Sequence, residues 1–141
     1  LVRKIQRFKS FSIYHKSIMA DSGTLATSAQ VLLAIGADGS AAQVLEANTN
    51  IWILMAESDM EKQFGNNIGL VANYASITAA NKQWLAMVAS HRAAFYAINQ
   101  GQTTWLLSVT QSKLNVCNSI WTGFLSDLTK NKADIVADMG L

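Results

Sequence analysis

No proline occurs anywhere in this 141-residue chain. Every break between elements must therefore be made by glycine or by side chains that cap helix ends. Between those breaks apolar residues recur at spacings of three and four, and no stretch sustains the strict alternation of a strand. The pattern predicts an all-α fold: a single-domain helical bundle of about four helices with short, glycine-containing connections.

The spacing predicts a first short helix over Leu25 to Ile35, ended by Gly36, and a turn at Ala37-Asp38-Gly39. Ser40-Ala41-Ala42-Gln43 is a capping-box sequence, in which Ser and Gln reciprocally satisfy free backbone N–H groups. It is expected to open one long helix closed by Phe64-Gly65, with Val44, Leu45, Asn48, Ile51, Trp52, Met55 and Met60 near one inward stripe. Gly65 to Gly69 reads as a flexible connection, and Leu70 to Ala75 as a turn or two. Thr78 offers an N-cap for a helix through Asn99, with Trp84, Leu85, Val88, His91, Phe95 and Ile98 inward and Gly101 at its end. The last long helix is expected from Thr103 or Thr104, with Leu106, Val109, Leu114, Cys117, Ile120, Trp121, Phe124 and Leu128 inward. Lys130 and Lys132 suit the negative end of its dipole, and residues 133–141 add one terminal turn. Trp52, Trp84 and Trp121 are expected to point into the core, and Trp105, at a helix start, to be exposed.

Composition separates this chain from an ordinary globular domain. Charged residues make up 14%, against about 25% in a typical domain. The polarity comes instead from 40 Ser, Thr, Asn and Gln residues, while half of the chain is hydrophobic. A lone monomer usually spreads Lys and Glu over its surface and keeps apolar patches small. A chain so poor in charge is expected to hide part of its surface against a partner. The single cysteine, Cys117, has no intrachain partner, so nothing asks for an oxidising compartment. The longest apolar run, Ile51 to Ala56, is far short of the ~20 residues of a membrane span, so a soluble chain or one incorporated in a particle is expected.

The charge is also unevenly placed. Residues 1–18 hold Arg3, Lys4, Arg7, Lys9 and Lys16 with no acid, while residues 19–141 carry a net of −3. Leu1, Ile5, Phe8, Phe11, Tyr14 and Ile18 would share one side of a helix, with bases alongside. Residues 1–18 are therefore read as a basic amphipathic arm and residues 19–141 as the bundle. Such an arm suits a targeting presequence, a membrane-surface or nucleic-acid contact, or a tail packed on a neighbouring subunit. Met19-Ala20-Asp21-Ser22 also reads like a natural start, which would make the arm an upstream extension. The docked arm is preferred, with Arg3, Lys4, Ile5, Arg7, Phe8, Lys9 and Phe11 as its partner-binding residues. Asp21-Ser22-Gly23 is expected to act as a flexible joint behind it.

Chemistry-bearing motifs are few. There is no P-loop, no Gly-x-Gly-x-x-Gly, no Gly-x-Ser-x-Gly and no Glu-x-x-His pair for a di-metal centre. Two histidines and one cysteine do not make a zinc cluster. His91 and Cys117 could form a thiol–imidazole pair, but both fall on apolar stripes where Cys packs as a small hydrophobe. Glu57, Asp59 and Glu61 could do acid–base work, but a solvated face or a contact for a neighbour's basic arm accounts for them better. Trp121-Thr122-Gly123 lies inside the most regular helical stripe and is not a hairpin turn.

A non-enzymatic structural or assembly subunit is the expected function, with no cofactor and no metal. Its partners would be copies of itself or other subunits. The neutral, Asn/Thr/Ser/Gln-rich, cysteine-poor composition resembles that of small bacteriophage virion proteins, which implies a virion component. The alternative is a helical adaptor or regulator that binds one protein or nucleic-acid partner through the basic arm.

Overall fold

The computed structural model describes residues 20–37, 39–101 and 107–141. These residues are all-helical, without a strand among them. Five α-helices follow in order: α1 (Ser28–Ile35), α2 (Ala41–Val44), α3 (Glu46–Phe64), α4 (Ala79–Gln100) and α5 (Leu107–Asp138), with a 3-10 turn over Tyr74–Ser76. No helix among them is long and apolar enough to cross a membrane.

Helix α4 is the centre, packed against the other four. Its inward face is Leu85, Val88, Ala89, Ser90, Ala93, Ala94, Ala97 and Ile98. Alanines let the neighbouring helices come close, and their weak hydrophobic signal hides this stripe from a pattern search. His91 and Phe95, expected inward, are only partly buried. Near the start of α4, one core cluster joins Leu25, Met60, Phe64, Leu70 and Ile77 to Phe124, Leu128, Ile135 and Met139. Near its end, a second joins Val31 and Ile35 of α1 and Trp52, Ile53 and Ala56 of α3 to Cys117 of α5. Trp52 is buried as expected, while Trp84 and Trp121 are partly buried against the first cluster; Trp105 lies outside the described residues.

Four boundaries differ from expectation. Helix α1 begins at Ser28, because Thr27 and Gln30 form a capping box of their own and Leu25 and Ala26 lie in an extended strap before it. The Ser40 capping box forms, but it opens only the single turn of α2; the chain extends at Leu45 and restarts as α3. The buried Gln43 explains the break. Its Oε1 accepts from Ser40 N–H, and its Nε2 donates to the carbonyl of Ala97 at 3.0 Å, which pins α2 to the end of α4. Asn48 then donates to the Ala42 carbonyl that the interruption frees. At the other end, α5 runs unbroken to Asp138, so Lys130 and Lys132 sit inside it and the separate terminal turn is absent. Gly140, at φ 77°, stops it: Leu141 N–H donates to the Val136 carbonyl and Gly140 N–H to that of Ala137, a Schellman ending. The expected start at Thr103 or Thr104 lies outside the described residues.

Thr78 holds the N-cap position of α4 without a side-chain cap bond. Asp138 does that work from the end of α5, accepting from Thr78 N–H at 3.2 Å and from Asn81 Nδ2 at 2.9 Å. The bonds from Asn81, then Thr78, hold its carboxyl below the usual Asp range. The stabilisation this clasp adds is full above the ordinary Asp pKa and fades as pH falls through the lowered one.

Candidate docking face

Helix α3 carries the least expected feature of the fold. Its buried side includes Thr49, Asn50 and Glu57 beside Trp52, Ile53, Ala56, Met60 and Phe64. Its outward side presents Ile51, Leu54 and Met55, which are 55%, 48% and 42% exposed. Val44 and Leu45 at the α2–α3 junction are exposed too. Four of the seven residues predicted to face the core (Val44, Leu45, Ile51 and Met55) therefore face outward. The expected stripe did not include Asn50, and Glu57 was expected on a solvated or partner-contacting face; both are buried.

What makes the polar side buriable is the strap over residues 20–26. Asn50 donates through Nδ2 to the Ala20 carbonyl at 3.2 Å and accepts from Ser22 N–H at 3.3 Å. Glu57, 5% exposed, accepts at one oxygen from Thr24 N–H (2.5 Å) and Leu25 N–H (2.6 Å). Buried polar groups are tolerated when they are bonded in this way. Asp21 accepts from Ser28 N–H at the start of α1, and the Ser28 and Thr49 hydroxyls bond each other. A Cβ on Gly23 would stand 2.0 Å from Ile53 Cγ2, so only glycine lets the strap lie this close. Asp21-Ser22-Gly23 is thus a clamped segment, and the expected flexible joint is corrected.

The three acids toward the end of α3, Glu57, Asp59 and Glu61, are likewise engaged within the fold. Glu57 holds the strap, and Glu61 accepts from Val71 N–H at 3.0 Å. Asp59 accepts from Arg92 Nε at 2.9 Å and from the Tyr96 hydroxyl. The acids point to different neighbours and form neither a solvated face nor an acid–base pair. Arg92 also lies over Trp121, with its guanidinium carbon 4.4 Å from the ring centroid, and beside Phe95 and Tyr96. Burial, then the bond to Asp59, raises the Tyr96 pKa, so its hydroxyl stays a donor at neutral pH. This polar knot forms one wall of a shallow groove whose other lining is Ile51, Leu54, Met55, Ser58 and Lys62.

The remaining chemistry candidates are separate. Cys117 is buried in the second core cluster, and burial pushes its thiol up to about 11 against the opposing pull of Lys113. His91 lies on the edge of a different surface hollow, beside Ala34, Tyr74 and Met87, with Nδ1 2.8 Å from the Met87 carbonyl oxygen. Among the described residues no group of three His, Cys, Asp or Glu side chains is placed to hold a metal. Cys117 should therefore react with a maleimide far more slowly than a free peptide thiol at pH 7.5, since attack requires the thiolate. Native-state labelling at the rate of the denatured chain would show that the site is open.

The chain matches no protein-family model, no curated protein and no solved structure. Its reading rests on its own geometry. A second outward surface shares the low charge of the groove. In α5, about 48 Å long, Thr110, Cys117, Phe124, Leu128 and Ile135 are buried. Between Leu107 and Ser126 the sole charge is Lys113, which donates to the Ile35 carbonyl at 2.6 Å. Ser108, Gln111, Ser112, Asn115, Val116, Asn118, Ser119, Thr122 and Leu125 cover the rest. The arm candidates Arg3, Lys4, Ile5, Arg7, Phe8, Lys9 and Phe11 lie outside the described residues.

Proposed function

We propose that this chain is a non-enzymatic structural subunit that oligomerises or docks into a larger particle, as a bacteriophage virion component would. In this reading residues 19–141 form one helical bundle and residues 1–18 an interaction arm. The exposed apolar patch on α3 carries the proposal. Besides its buried Trp52, Ile53, Ala56, Met60 and Phe64, this helix exposes Ile51, Leu54 and Met55 side by side, an apolar patch that suits a contact with another molecule. The nearly uncharged outer surface of α5 supports the same reading, because interface centres are depleted of charge. Leu33, 83% exposed on α1, adds a further apolar point.

Light scattering at micromolar concentration tests the reading. The full chain should run well above its 15.3 kDa monomer mass, or do so once mixed with its natural neighbours. A stable monomer that binds neither itself nor its neighbours would sink it.

A further inference from the structure

We propose that α2 and α3 are one helix held broken by a latch: when Gln43 leaves the end of α4, Leu45 turns helical and residues 41–64 run as a single rod. Leu45 is the sole residue between the two helices. Its φ of −67° is already helical, and only its ψ of 122° departs from the helical value of about −42°. From Ala41 to Phe64 there is no glycine or proline to require a break. One torsion separates the two forms.

The local backbone favours continuity. Glu46 and Ala47 open α3, where N–H groups have no intrahelical acceptor. In a continuous helix they would bond to the carbonyls of Ala42 and Gln43, the first of which now takes Asn48 Nδ2 at 2.8 Å instead. Against that gain stands one side chain. Gln43 is the buried residue of α2, and its Nε2 donates to the Ala97 carbonyl at 3.0 Å. It lies over Gly101, where a Cβ would come within 2.1 Å of that Nε2. Val44 and Leu45 beside it are exposed and add little to the hold. Turning Leu45 helical swings α2 round and draws Gln43 from its seat, and the connection before it contains Gly36 and Gly39, which let it follow. Val44 then stands seven positions ahead of Ile51 and eleven ahead of Met55 on one helix side, which lengthens the exposed apolar patch by about two turns.

NMR on the full chain reads the torsion at Leu45 through its Cα chemical shift, which moves downfield in a helix. Gln43→Ala removes the latch. Gly101→Ala displaces it from the α4 side, at a φ of −112° that alanine adopts freely. Each should raise the ratio of continuous to broken form about tenfold, the effect of losing one buried hydrogen bond. Leu45 should then show helical shifts, and hydrogen exchange at the Glu46 and Ala47 amides should slow. Adding Glu46→Pro to either variant should restore the extended Leu45. Proline suits the first position of α3, requires an extended residue before it, and cannot stand inside a continuous helix. Leu45 shifts that stay extended in both latch variants, whether or not residues 41–44 melt, overturn the proposal. So does a helical Leu45 that persists with Glu46→Pro.

Discussion

Replacing Phe124 by alanine should destabilise the protein by about 3–5 kcal/mol, the range for deleting a buried aromatic side chain. Phe124 is fully buried at the centre of an aromatic group, with ring centroids 5.1 Å from Trp121, 5.3 Å from Trp84 and 6.4 Å from Phe64. Its loss removes the one ring that touches α3, α4 and its own helix together, and the large neighbours cannot collapse into the space without leaving their own partners. Leu125→Ala, one residue along on the exposed side of α5, should cost within about 0.5 kcal/mol. Denaturant melts of the two variants read the difference directly. Equal midpoints would mean that α5 is rotated from the orientation described.

Glu57→Ala should cost about 3 kcal/mol through a different mechanism. Its carboxyl oxygen accepts from both Thr24 N–H and Leu25 N–H, and alanine leaves these two donors unsatisfied, one of them fully buried. Each such orphan costs about 1–3 kcal/mol. Glu57→Gln keeps an acceptor oxygen and should cost about half as much. The specific signature is local: hydrogen exchange at the Thr24 and Leu25 amides should accelerate in Glu57→Ala well before global unfolding. Unchanged protection there would show that the strap is held by its other contacts.

Much of the local structure was readable from the chain. Without proline, helix ends had to fall at glycines and caps, and Gly36, Gly65 and Gly101 do follow α1, α3 and α4. The Ser40–Gln43 capping box was legible because both partners lie within four residues of each other. The extent of α5 was misjudged because Lys130 and Lys132 read as a C-terminal charge signal; Gly140 was the stop that mattered.

The orientation of α3 was not readable in the same way. A periodicity argument needs one side to be clearly the more apolar, and α3 carries apolar residues on both: Ile51, Leu54 and Met55 on one, Trp52, Ile53, Ala56, Met60 and Phe64 on the other. The buried side is stable because Asn50 and Glu57 find backbone partners 28 to 33 positions away in the strap. Nothing local announces a hydrogen bond over that separation. The break at Leu45 has the same origin, in the reach of Gln43 to Ala97. The candidate docking face was missed for this reason, since Ile51 and Met55 had been assigned to the core.

Helical spacing, carried by the residues themselves, determined that this chain forms helices. Which side of α3 is buried was decided with the help of tertiary hydrogen bonds. Bonds from a distant strap satisfy Asn50 and Glu57 on the buried side of α3 and leave Ile51, Leu54 and Met55 outside, and the free energy of those bonds depends on partners that only the folded chain brings together.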